Sequence, residues 1–256
     1  MGYVIAFSAN LGFLFTDHTL PDAIRAAKAA GFVAVECHWT YDTPVSKVKA
    51  ALAETGLPML GLNTRRGDVE GGENGLAALP GREVEARAAI DEAIAYAVEI
   101  GAGCVHVMAG FGEGAAATTT FIENLTYACG KAEQLGLTIL IEPLNRHDAP
   151  GYFLKTTDQA ATIIEAVGAP NLKLMFDCYH VGRTEGDLIT RIRTHLPIIG
   201  HIQFASVPDR GPPDGGEVDY GVVFAEINKL GWAAPLGAEY KPVGATEASL
   251  DWLKSV

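Results

Sequence analysis

Four oxygen-bearing side chains close successive apolar runs in the second half of the chain. Leu140-Ile141 leads into Glu142, Leu174-Met175-Phe176 into Asp177, Gly200-His201-Ile202 into Gln203, and Gly237-Ala238 into Glu239. The intervals, 177 − 142 = 35, 203 − 177 = 26 and 239 − 203 = 36, each leave room for a strand, a loop, a helix and the next strand. If these runs are neighbouring parallel strands, their last residues meet at one mouth. Three carboxylates gathered there would repel one another and take up protons unless a cation neutralised them. Three acids and an amide make an all-oxygen donor set, which suits magnesium or manganese; zinc prefers nitrogen and sulfur.

A divalent metal held by Glu142, Asp177, Gln203 and Glu239 suits an α-hydroxycarbonyl substrate, whose two adjacent oxygens can chelate it. Loss of the carbon-bound proton then gives a metal-bound enediolate. Glu142 and Glu239, from well-separated strands, are the candidate acid and base, one abstracting the proton and the other returning it. The reaction is an aldose-ketose type isomerisation. His180, three residues past Asp177, and Arg210, seven past Gln203, are the candidate substrate contacts, and the planar fork of Arg210 suits a carboxylate.

The elements needed to position these groups recur along the chain. Strand-like runs fall at 3–8, 32–37, 58–63, 104–108, 137–141, 172–176, 198–204 and 236–239. Helix-like runs fall at 21–30, 44–54, 83–100, 118–135, 157–167, 186–196, 220–230 and 246–256, several of them stopped by glycine. The polar, glycine-rich stretch 64–82 is expected to form a lid or wall of the site. Eight alternations without a Pro/Ser-rich linker predict a single (β/α)8 barrel spanning 1–256. A doubly wound open sheet is the rival, but no GxGxxG follows the first strand.

Composition narrows the partners. The 256 residues carry 19 Lys and Arg against 31 Asp and Glu, a formal charge of −12, with no basic stripe beyond Arg65-Arg66. Nucleic acid and anionic membrane are therefore disfavoured, and a small neutral or weakly anionic ligand fits better, provided local positive charge sits at the site. The cysteines Cys37, Cys104, Cys129 and Cys178 are scattered, and neither a signal peptide nor a membrane-spanning run is apparent, so a cytoplasmic setting is expected. Assembly into a homo-oligomer is left open.

The segments IEPLNRHDAPGY, MFDCYH, GHIQFASVPDRG, GEVDY and GAEYKP resemble those of the hydroxypyruvate isomerase family. That family lies within the xylose isomerase-like TIM barrels, which also include ketose 3-epimerases. FSANLGFLF near the start, LPGRE at 79–83 and the terminal WLKSV extend the resemblance over nearly the whole chain. It implies a metal-assisted isomerase of a small hydroxy-carbonyl acid, with hydroxypyruvate and tartronate semialdehyde as the expected pair. Glu142 and Glu239 would be acid/base residues, the four strand-end residues metal ligands, and His180 and Arg210 substrate contacts. Gln203 favours this branch, because related epimerases carry histidine there; Cys178 stands where an aliphatic residue is expected.

Each residue also has a plainer reading. Alone, an acid at a strand end is more often a cap or an ion-pair partner, and His201, two residues before Gln203, reads as barrel filling or a support. His106, Glu36 and Lys241 also lie at strand ends, where packing or ion pairing explains them as well as pocket lining. The rival functions are a 2-oxo-tetronate isomerase, a ketose 3-epimerase, a metal-dependent phosphodiesterase acting on abasic DNA, and a non-catalytic sugar-acid binding protein. The phosphodiesterase would need histidine-rich metal ligation and a basic surface.

Overall fold

The computed structural model of the chain describes residues 5–254. Among these, eight parallel strands alternate with helices: β1 Phe7–Asn10, β2 Ala34–Glu36, β3 Gly61–Asn63, β4 Cys104–His106, β5 Thr138–Ile141, β6 Leu172–Asp177, β7 Ile199–Phe204 and β8 Leu236–Ala238. Their order is β2-β1-β8-β7-β6-β5-β4-β3. A parallel bridge between Val35 and Met59, with Leu60 donating to the Val35 carbonyl at 2.7 Å, closes β2 onto β3 and makes the sheet a barrel.

The period of two along each strand divides its side chains between the lumen and the outer wall. Asn10, Glu36, Asn63, His106, Leu140, Met175, His201 and Gln203 surround one internal cavity. Their neighbours Ala9, Val35, Val105, Ile141, Phe176 and Ile202 join the hydrophobic core beneath the helices. The lumen near the mouth is thus polar and the wall apolar.

The helices are α1 Leu20–Ala29, α2 Val45–Thr55, α3 Glu83–Ile100, α4 Gly114–Glu133, α5 Thr157–Val167, α6 Cys178–Thr184, α7 Leu188–His195 and α8 Tyr220–Lys229. Helices α3 and α5 have the bounds expected from their glycine stops, Gly101 and Gly168, which both take left-handed φ.

Beyond shifts of a few residues in other bounds, the expectations change at three places. The first strand lies at Phe7–Asn10 rather than 3–8, its earliest expected residues falling outside the described ones. An additional helix, α6, starts immediately after Asp177, because that side chain caps it by accepting from the Tyr179 amide at 2.7 Å. The final helix expected at 246–256 is instead two 3-10 turns, Thr246–Ser249 and Asp251–Lys254, with residues 255 and 256 outside the described ones. Local side-chain bonds compete with helix there: Ser249 donates to the Thr246 carbonyl at 2.7 Å, and the Thr246 hydroxyl accepts from Phe15 at 2.7 Å. The turns still seat Trp252 edge-on against Phe7 and Phe204 at 5.0 and 5.4 Å.

The 64–82 stretch is a fixed wall. Ala77 and Ala78 donate to the Met108 and Ala109 carbonyls at 3.2 and 2.7 Å, and Asn124 of α4 donates to the Ala77 carbonyl at 2.9 Å. Gly75 permits this approach: its φ is +118°, and a Cβ would stand 2.6 Å from the Met108 carbonyl oxygen.

Candidate active site

Glu142 follows β5, Asp177 ends β6, Gln203 lies in β7 and Glu239 follows β8, so consecutive strands deliver all four to one end of the barrel. All four are buried. Contacts link them in series. Arg210 Nη2 lies 2.5 Å from Glu239 Oε2 and 3.7 Å from Asp177 Oδ2, Gln203 Nε2 donates to Glu239 Oε1 at 3.4 Å, and ligand atoms of Glu142, Asp177 and His180 lie within 4.8 Å of one another.

Three oxygens in this group lack any hydrogen-bond partner although buried: Glu142 Oε1, Asp177 Oδ2 and Gln203 Oε1. Orphaned buried acceptors are costly, and here three of them belong to residues of one cluster. This is the donor chemistry a hard divalent cation requires, so the residues fit such a metal.

The electrostatics divide the acids. Burial raises the Glu142 pKa well above the usual carboxylate range, with Glu239 and Asp177 adding to it. Burial, reinforced by Glu239, pushes Asp177 up to about 7. Glu239 is opposite: burial would raise it, but the Arg210 guanidinium and His38 outweigh that and hold it well below the usual range. Its Oε1 takes Asn10 Nδ2 at 2.9 Å and His38 Nε2 at 2.8 Å.

His180 and Arg210 reach the same cluster. His180 Nδ1 accepts from the Asn145 backbone amide at 2.9 Å, which leaves the proton on Nε2 of the neutral ring. Burial and the Arg210 charge depress its pKa to about 3, so the ring is neutral. The Nε2–H then stands near Asp177 Oδ2 and Glu142 Oε1, at 3.6 and 3.9 Å, without a hydrogen bond to either. It therefore cannot also serve as a metal ligand, despite its closeness to the two acids. Arg210, with φ of +56°, lies between the Phe13 and Tyr179 rings at 4.6 and 4.9 Å, and its Nε has no partner.

Residues outside the expected set complete the mouth. A cleft of about 170 Å³ is lined by Phe13, His38, Trp39, Asn74, His106 and Asp148 as well as by Glu142, His180, Arg210 and Glu239. His106 has no hydrogen-bond partner on either ring nitrogen, and burial lowers its pKa to about 3. Asn10 and His38 were not singled out from the sequence; the signals available were their places at the end of the first strand and two residues past Glu36. Glu36 and His201 lie one layer below, joined by a short hydrogen bond. Lys241 is exposed: its backbone amide donates to the Arg210 carbonyl at 2.7 Å, and its ammonium stands 5.8 Å from the Phe13 ring.

Comparison with known proteins agrees with the fold. The model of the xylose isomerase-like TIM barrel family matches residues 24–256. A 2-oxo-tetronate isomerase of Cupriavidus necator is 43% identical over 252 residues, covering 97% of each chain. A hydroxypyruvate isomerase of Escherichia coli is 36% identical over 254 residues, covering 98% of each. A crystal structure of an AP endonuclease, family 2, from Brucella melitensis superposes with a TM-score of 0.95 at 36% identity, covering 98% of this chain and 99% of that one. The chain belongs to the xylose isomerase-like TIM barrel family and, within it, to the group that holds the hydroxypyruvate and 2-oxo-tetronate isomerases.

Proposed function

We propose that this isomerase interconverts hydroxypyruvate and tartronate semialdehyde by proton transfer between adjacent carbons. The observation that carries this reading is the set of unpartnered buried oxygens on Glu142, Asp177 and Gln203, beside a cleft that also holds Arg210 and the Nε2–H donor of His180. Glu142, Asp177, Gln203 and Glu239 would hold magnesium or manganese, which, when bound, supplies positive charge to stabilise the enediolate.

The chain's own groups do the rest. Arg210 holds the substrate carboxylate with its unpartnered Nε, and His180 donates to a substrate oxygen. Glu142 and Glu239 stand at the ends of β5 and β8, on different sides of the mouth, where one removes the carbon-bound proton and the other returns it. Trp39, Phe13 and Met108 line the cleft and keep bulk water from the exchanging proton.

The substrate 2-oxo-tetronate presents the same carboxylate and adjacent oxygens and is the alternative on this site, supported by the 43% identical relative. The Brucella melitensis protein is named for an endonuclease activity, which raises a DNA-directed reading. Against it stand the net charge of −12 and a cluster whose unpartnered atoms include three oxygens but only one histidine, His106.

The test is turnover of purified protein on hydroxypyruvate and on 2-oxo-tetronate, after chelation and again after adding Mn²⁺ or Mg²⁺, in deuterated water. Metal-dependent product carrying solvent deuterium is expected. No conversion of either acid with either metal refutes the reading.

A further inference from the structure

Glu36 stands at the end of β2 beside the acid cluster, yet both of its oxygens are already taken by donors. Its Oε1 accepts from Gln203 Nε2 at 2.9 Å and Asn10 Nδ2 at 3.1 Å; its Oε2 takes His201 Nε2 and the Ser8 hydroxyl, the latter at 3.4 Å. We infer that Glu36 is a positioning residue that holds the nitrogen end of the Gln203 amide and so leaves its oxygen end free for a ligand. The inference rests on the proposed metal-binding role of Gln203.

The physical reason lies in the amide itself. Its oxygen and nitrogen are nearly equal in size, so packing cannot tell them apart; only a partner's hydrogen-bond polarity can. A carboxylate oxygen accepts, so Glu36 holds the Nε2 end, which also reaches Glu239 Oε1 at 3.4 Å, and Oε1 is the end left without a partner. A reversed amide would set two oxygens against each other at Glu36 and offer N–H groups to a cation.

Two further features serve the same contact. Gly237 of β8 lacks the side chain that would block it: a Cβ there would lie 2.5 Å from Glu36 Oε1 and 2.8 Å from Gln203 Cγ. Asn10 is oriented by the same logic. Its Oδ1 accepts from the Gly12 amide at 2.9 Å, which turns Nδ2 toward both Glu36 and Glu239.

The test is calorimetric titration of metal-stripped protein with Mn²⁺, with thermal melting in chelator as the folding control. Glu36→Gln removes the acceptor-only partner and is expected to weaken Mn²⁺ binding about tenfold to a hundredfold, the usual range for groups that orient ligands. Gln203→Glu alone sets two carboxylates against each other and also weakens binding. The double variant Glu36→Gln with Gln203→Glu restores a donor-to-acceptor pair and is expected to regain at least half of the lost binding free energy, a rescue that a merely structural role does not produce.

Wild-type affinity in Glu36→Gln, or a double variant no tighter than Glu36→Gln, overturns the inference while leaving the metal site standing. A wild-type protein that binds no Mn²⁺ overturns both. A measurement on the wild type covers the case in which Glu36→Gln does not fold. With Mg²⁺ bound, the Gln203 Nε2 protons, assigned by their loss in Gln203→Glu, are expected to exchange slowly with solvent because they stay on Glu36. Fast exchange overturns the inference.

Discussion

Arg210 Nη2 lies 2.5 Å from Glu239 Oε2, and the same nitrogen stands 3.7 Å from Asp177 Oδ2. A fixed guanidinium thus occupies the side of the acid cluster where charge repulsion would otherwise be greatest. Removing it leaves two buried acids uncompensated, whereas a divalent cation can take over its electrostatic work. Arg210→Ala is therefore expected to destabilise the metal-free protein by about 3 kcal/mol, measured by urea unfolding in chelator. Saturating Mn²⁺ should recover most of that loss. An unchanged metal-free midpoint would contradict the role given to Arg210.

Glu142→Gln and Glu239→Gln keep side-chain volume and remove the ability to carry a proton from carbon. Each is expected to lower kcat on hydroxypyruvate by about 10²- to 10⁴-fold; Glu142→Gln should melt close to the parent, whereas Glu239→Gln, which breaks the buried pair with Arg210, should melt lower. Steady-state kinetics with a melting control checks this. Near-normal turnover in either variant would remove that residue from the acid/base pair.

His180 donates from Nε2 because its Nδ1 accepts from the Asn145 amide. His180→Ala should accordingly raise KM or lower kcat by about tenfold or more while Mn²⁺ affinity, read by calorimetry, stays within about threefold. A large loss of Mn²⁺ affinity would make His180 a ligand and contradict the tautomer set by its neighbour.

Asp177 has a pKa pushed up to about 7, so below that pH it holds a proton that a cation must displace. Apparent Mn²⁺ affinity is expected to rise by about tenfold or more between roughly pH 6 and pH 8, the raised pKa of Glu142 adding to the effect of Asp177. The sign for folding is the reverse. A carboxylate whose native pKa lies above its unfolded value stabilises the metal-free fold at low pH, and this contribution is lost as pH rises through about 7. Affinity that is flat across the window would show that Asp177 does not take part in binding.

Much of the architecture was legible because the barrel repeats one unit. Apolar runs of strand length, glycine helix stops and near-constant spacing are local signals, and they located α3 and α5 with their observed bounds. The acids Glu142, Asp177 and Glu239 were visible for the same reason, since a charged residue directly after an apolar run stands out. Helix α6 was not visible, because its start depends on Asp177 turning one oxygen to the Tyr179 amide, and the 3-10 turns near the C-terminus depend on side-chain bonds to Tyr240 and Thr246.

By itself, the sequence determined the strand count, the order in which oxygen-bearing side chains reach the mouth, and the acidic balance that disfavours phosphate backbones. Those follow from periodicity and composition, which act over a few residues or over the whole chain at once. Only the tertiary structure decided that Arg210 crosses to Glu239, that His180 Nδ1 accepts from the Asn145 amide, and that Glu36 reaches past Gly237 to Gln203. These join residues 29, 35 and 167 positions apart, and direct hydrogen bonds between such partners exist only once the barrel has closed.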